Sequence, residues 1–306
     1  MTQSLESLSR RTISMTGIRS VVHTMKTLSV INSAPYAHAV EAIEAYHDSV
    51  LMGLHAFLRV IGSYDPAPSG AAHHAIIVFG SDHGLCGNYN EVLACHVAGR
   101  LAMIGKTTVV SVGAQMADAL RDQGLAPESQ FFPPASVDGI ERLANQLTQH
   151  LDEIRDGRSV GDIAVSLAYF TRDGANGQRP ECTDLLPLDP VLVRNLEGTP
   201  WASRSLPAFS MPADDLFRAL IRNHLFASLF RAAAEALVTE NAARLALMQQ
   251  AEQSVDERLD GLKSEMRSLR QSAITTEILD VIIGFEALKK GRKSSMIPRL
   301  GQPTSF

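Results

Sequence analysis

The chain has 306 residues, is 45% apolar and 20% charged, and carries a formal net charge of −5. That length suits two domains, or one domain with a large helical elaboration, and the apolar share is enough for a proper core. The acidic balance gives no general pull toward nucleic acid, and no apolar run approaches the roughly eighteen residues that a membrane span needs.

The first 61 residues read as helix. Ile18, Val21, Met25 and Leu28 recur at heptad spacing, and so do Ile43, His47, Val50, Leu54, Phe57 and Ile61. Pro35 lies between the two runs and is expected to kink or interrupt the helix, because it lacks a backbone donor and crowds the preceding turn. Turn formers at 62–72 (GSYDPAPSGAA) end this region. His73 and His74 close the linker and read as a solvated turn.

The period then changes. Ala75 to Gly80 is a short continuous apolar run, the pattern of a strand buried on both faces. A glycine-rich loop follows, Ser81-Asp82-His83-Gly84-Leu85-Cys86-Gly87-Asn88. Beyond it come a helix from about 90 to 103, a strand at 107–112, a helix at 113–123, a weak strand at Phe131-Phe132, a helix at 137–155, and strands at 163–170 and 182–188. Strand and helix alternating in this way predict a mostly parallel sheet with helices on its faces, occupying 73–190. Residues 191–210 read as an irregular return.

From about Met211 to 290 the chain is helical again. Val255, Leu259, Leu262, Met266, Leu269 and Ala273 form a heptad seam flanked by charges of both signs. The expected architecture is therefore α/β: a long antiparallel coiled coil of the N- and C-terminal helices (1–61 and 211–290) with an inserted Rossmann-like domain (73–190), and a basic tail at 291–306. His47 in the N-terminal seam reads as a packed histidine.

Enzyme chemistry is hard to find. Gly80, Gly84 and Gly87 do not make G-x-G-x-x-G, and no Lys-Ser/Thr follows as in a phosphate loop. Ser81, Asp82 and His83 are sequence neighbours, whereas hydrolase triads converge from separate loops. The plainer reading of the loop is a tight turn whose glycines stand where a Cβ would clash. Cys86, Cys95 and Cys182 are odd in number and irregularly spaced, which fits a reducing compartment. His83, Cys86, Cys95 and His96 match no standard zinc spacing. No catalytic, cofactor or metal site is expected.

Four stretches carry a family resemblance. Ser81 to Asn90 (SDHGLCGNYN) is similar to the S-D-R-G-L-C-G-G-x-N stretch of the γ subunits of F-type ATP synthases, with His83 in place of arginine and Asn88 in place of glycine. Thr239 to Met248 resembles their S-E-x-A-A-R-M-x-A-M segment, and Arg270 to Ile278 (RQSAITTEI) their R-Q-A-x-I-T-x-E-I signature. Ile18, Ser20, Val21, Thr24 and Lys26 match I-x-S-V-x-x-T-x-K. The resemblance spans essentially the whole chain, and it is compatible with both the proton-translocating and the alternate, sodium-translocating branch of a bacterial family.

The resemblance implies a non-catalytic rotor. The coiled coil would stand within a ring of α and β subunits, and the α/β domain would meet the ε subunit and the c ring, at the cytoplasmic face of a bacterial plasma membrane. Ion flow through the membrane sector would turn the shaft and drive ATP synthesis, or ATP hydrolysis would drive the reverse. It also implies that Arg270, Gln271, Thr275, Glu277 and Lys26 contact the β subunits, with Lys26 at a level similar to Arg270. Asp82, Gly84, Leu85, Cys86, Gly87 and Asn90 would be structural residues of the loop. Two departures stand out: Ser29 to Tyr36 replaces a basic, methionine-containing helical run, and KKGRKSSMIPRLGQPTSF extends beyond the usual family end. The tail is expected to thread the top of the ring or plug it. Two other classes stay open on the residues alone: a small Rossmann-like nucleotide-binding enzyme that dimerises through its helices, and a coiled-coil scaffold.

Overall fold

A computed structural model describes residues 2–62, 73–102, 104, 107–155, 163–174, 177–201, 203–205 and 207–294. In chain order these form α1 (Thr2–Ile61), β1 (His73–Phe79), α2 (Tyr89–Leu101), β2 (Thr107–Val112), α3 (Ala114–Asp122), β3 (Ser129–Phe131), α4 (Asp138–Arg155), β4 (Ile163–Asp173), β5 (Gly177–Leu186), α5 (Pro190–Gly198) and α6 (Ala213–Ser294). By contacts the chain divides into two compact units, 1–24 with 250–306, and 25–249.

The first unit is a pair of helical segments. Arg19 pairs with Asp256 at 2.5 Å and His23 with Glu252 at 3.1 Å. As α1 advances four residues α6 recedes four, so the segments run antiparallel. Val255 and Leu259 are buried and Leu262, Met266, Leu269 and Ala273 half-buried, which is the heptad seam read from the sequence.

On α1 the seam lies elsewhere than expected. Ile18 and Val21, and Leu28 in the other unit, are 49%, 58% and 51% exposed, while Leu8 and Val22 are buried, as is Ser29 beyond them. The reason is that hydroxyl residues serve as seam positions. The Thr12 and Ser29 hydroxyls donate to the carbonyls of Leu8 and Met25 one turn back, both at 2.9 Å, so Ser29 is buried and Thr12 half-buried with their polar groups satisfied. Counting only apolar residues therefore chose the outer stripe. The later stripe holds: Ile43, Val50, Leu54 and Phe57 are buried and His47 half-buried, although Ile61 is exposed.

Pro35 does not end α1, which is continuous through it. The ring sits on an exposed face, and Ile31, whose carbonyl loses its partner to the proline, is also exposed, so water can satisfy that oxygen.

The second unit holds the sheet, in the order β3-β2-β1-β4-β5. β1 pairs in parallel with β2 and β4, β2 with β3 likewise, and β5 is antiparallel to β4. Ile76 and Val78 point to a layer of Leu93, Val97, Met116 and Leu120 from α2 and α3. Ala75, Ile77 and Phe79 point to Leu143 and Leu147 of α4, Leu225 and Leu229 of α6, and Leu54 of α1. Burial on both faces explains why β1 reads as an unbroken apolar run.

Two expectations at the unit's edges are corrected. His73 and His74 are not a turn: they open β1, where His74 is buried with Nε2 2.8 Å from the Ser166 hydroxyl. The return segment contains α5, capped by the Asp189 carboxylate accepting from the Val191 amide at 2.8 Å, with Pro190 at the first helical position. Asp189-Pro190 was the available signal.

Candidate functional site

Strand order reverses between β1, which leads outward to β2, and β4 on its other side. In doubly wound sheets ligands bind beyond the carboxyl ends of the strands at such a point. The loop after β1 lies there, and its residues bond to one another. The Asn90 side chain accepts from the Ser81 amide at 2.9 Å and donates to the Ser81 hydroxyl at 2.8 Å. The Asp82 carboxylate accepts from the Ala114 amide at 3.2 Å, in the first turn of α3. Leu85 and Gly87 both adopt left-handed backbone, φ 67° and 69°, and make the turn. Gly80 is required by space: a Cβ there would lie 2.5 Å from the Met116 side chain. Gly84 has open space around it, so no clash demands that glycine.

This geometry removes the hydrolase option. The Ser81 hydroxyl is committed to Asn90 and lies 3.4 Å from Cys86 Sγ, while the His83 ring is 85% exposed. Burial pushes the Cys86 thiol up from its ordinary range, which leaves it protonated and unreactive.

The expected ligand crevice is filled by α6. Tyr89, 2% exposed, donates its phenol hydroxyl to the Ala236 carbonyl at 3.1 Å and lies 3.0 Å from the Thr239 hydroxyl. Its ring packs on Phe170 with centroids 4.5 Å apart. Arg172, at the end of β4, forms a two-point bond with the buried Glu235 carboxylate at 3.0 and 3.1 Å. Glu240 is buried beside Arg244 and bonded to it; burial raises its carboxyl pKa, with the arginine opposing. The remaining space between Phe79, Gly80, Val112, Ala236 and Glu240 is about 10 Å³. That is room for about one water, not a nucleotide.

In the first unit, Arg270, Gln271, Thr275 and Glu277 are all exposed on α6. The Thr275 hydroxyl donates to the Gln271 carbonyl of its own helix at 2.9 Å, so the outward polar groups are Arg270, Gln271 and Glu277. The register set by Arg19 and Asp256 puts Arg270 level with Leu5 within this unit; Lys26 belongs to the other unit. Beyond this polar patch α6 displays Ile278, Val281, Ile282, Ile283, Phe285 and Leu288, each between 51% and 75% exposed. That apolar surface was missed, although the run of large residues after the last seam position is plain in the sequence.

A family model described as ATP synthase matches residues 4–288. The ATP synthase gamma chain of Rhodobacter capsulatus is 26% identical over 299 residues, covering 93% of this chain and 99% of that relative. The ATP synthase gamma chain of Rubrobacter xylanophilus is 27% identical over 295 residues, covering 94% and 99%. Among solved structures, a chain of the Euglena gracilis mitochondrial ATP synthase superposes with a TM-score of 0.61 at 14% identity over 100% of both chains. A chain of the Tetrahymena thermophila mitochondrial ATP synthase central stalk and c ring gives 0.53 at 16% identity, covering 76% of this chain and 99% of that one.

Proposed function

This chain belongs to the ATP synthase family, as a gamma-type, non-catalytic rotor shaft, and we propose that it works by turning within a ring of α and β subunits while its α/β domain meets an ε subunit and a c ring. The observation that carries this reading is the exposed end of α6. A helix surface bearing Ile278, Val281, Ile282 and Phe285 is too apolar to be left in water, and it adjoins a polar patch of Arg270, Gln271 and Glu277. A surrounding bearing with polar groups at its rim covers both. Arg270 offers the β subunits a planar donor fork suited to carboxylates or carbonyls, and Gln271 and Glu277 add polar contacts beside it. Lys26, in the other unit, adds a further contact with the β subunits. The 81–90 loop is a structural element.

The setting that fits is peripheral, at the cytoplasmic face of a bacterial plasma membrane. Among the described residues no helix is long and apolar enough to cross a membrane. Attachment would come through the partner subunits. The nucleotide-enzyme reading loses its support, since α6 fills the crevice such an enzyme needs.

The test is affinity purification of the tagged chain from its host, with intact-complex mass spectrometry. Recovery with α and β ATPase subunits, and ATPase activity in the recovered complex, is expected. A monomer or homodimer without ATPase subunits refutes the rotor assignment.

A further inference from the structure

The contact between the sheet and α6 raises a mechanical question that follows from the rotor reading and rests on it. Ala232, Ala233, Ala234 and Ala236 are each 5% exposed or less. Small residues let a helix approach closely, but they supply few ridges to interlock with a neighbour. A smooth contact of this kind resists turning about the helix axis poorly. Leu225, Leu229 and Leu237 of α6 also pack into this core, and at the alanine stretch directional bonds add to the resistance.

We propose that α6 stands permanently in the ligand crevice of the sheet, and that Tyr89, Thr239, Arg172 and Glu235 are a torque-bearing latch between sheet and shaft helix. Glu235 and Thr239 are one turn apart and so share a face of α6. Two different elements grip that face. Tyr89, at the start of α2, holds the Ala236 carbonyl and meets the Thr239 hydroxyl. Arg172, at the end of β4, holds Glu235 through both carboxylate oxygens. The Thr239 hydroxyl, which also bonds its own helix at Glu235 and Ala236, lies 3.3 Å from the Phe170 carbonyl of β4. With anchors on either side of the reversal in strand order, rotation of α6 in either sense stretches one of them. The latch residues are positioning residues: they touch no substrate, and they fix the angle at which the sheet is carried.

The experiment uses the assembled ATP synthase reconstituted in vesicles, with Tyr89→Phe, Arg172→Gln and the double variant. Tyr89→Phe removes one oxygen and keeps the ring stack on Phe170, so it is the variant that must assemble. ATP hydrolysis and ATP-driven ion pumping are read in the same preparation. The expected result for the double variant is hydrolysis within about twofold of wild type and pumping per ATP lowered at least about fivefold, with Tyr89→Phe alone lowering it about twofold. Exchanging the charges, Arg172→Glu with Glu235→Arg, should recover part of the lost coupling. An unchanged pumping-to-hydrolysis ratio in Tyr89→Phe and in the double variant overturns the latch, and so does a parallel fall of both rates. Failure of the rotor assignment is distinguishable, because the wild-type chain would then not recover ATPase subunits at all.

Discussion

The two helices that meet in the larger unit share a histidine pair that should make the chain acid-labile. His47 Nε2 and His224 Nδ1 lie 3.0 Å apart, a bond that needs one ring nitrogen to donate and the other to accept. His224 is 6% exposed. Burial, with His47 beside it, pushes its pKa down to about 4 from 6.5. The groups around His47 are Arg231, which opposes its protonation, and Asp48 and Glu44, which favour it; burial outweighs them and lowers its pKa too. The unfolded chain therefore binds a proton that the folded chain refuses, and stability is lost as pH falls below 6.5 toward about 4. Between about pH 7.5 and pH 5 the loss from His224 alone is about 2 kcal/mol, from one pKa unit being worth about 1.4 kcal/mol. Thermal melts of the full-length chain at the two pH values, for wild type and His224→Leu, isolate this term. Glu240, whose raised carboxyl pKa acts in the opposite sense, cancels in the comparison. The destabilisation on acidification should be about 2 kcal/mol smaller in His224→Leu. Equal losses in the two proteins refute the account.

Gly113 has φ 107°, and a Cβ there would lie 2.4 Å from the Ser81 carbonyl oxygen, so Gly113→Ala should destabilise by at least about 2 kcal/mol in a chemical melt. Arg270→Ala removes an exposed side chain: the melting temperature of the isolated chain should stay within about 1 °C, while ATPase activity of the assembled complex falls about fivefold or more. Cys95 is exposed, whereas burial raises the thiols of Cys86 and Cys182, the latter to about 11. Brief alkylation near neutral pH followed by peptide mass spectrometry should label Cys95 at least about tenfold faster than either.

Much of the architecture could be read from residue periodicity because each element buries a regular face. β1 is buried on both sides, so its run is unbroken, and the α6 seam from Val255 to Ala273 repeats every heptad because only one partner face is available to it. The signature stretch Arg270 to Ile278 was one of the stretches that carried the family resemblance, and apart from the half-buried Ala273 and Thr276 its residues face outward, where core packing does not dictate them. Where a rule was applied too simply, the sequence misled. Thr12 and Ser29 were passed over as seam residues because their hydroxyls look polar, although each is satisfied by a carbonyl one turn back. Pro35 looked like a break because the cost of its missing donor depends on whether water reaches the freed carbonyl, which only the folded exposure reveals.

The relation between loop and shaft belongs entirely to the tertiary structure. Ser81 to Asn90 and Thr239 to Met248 could each be recognised as a motif, but nothing in their spacing says that Tyr89 reaches the carbonyl of Ala236, or that Glu235 meets Arg172. Those contacts join residues separated by 147 and 63 positions, and they exist because the sheet reverses its strand order beneath α6. The sequence by itself determined most of the helices and strands, and the buried faces of β1 and of the α6 seam, since these follow from local periodicity. Whether the crevice at the sheet's edge is open or filled depends on which distant segment packs there, and that is a property of the folded chain alone.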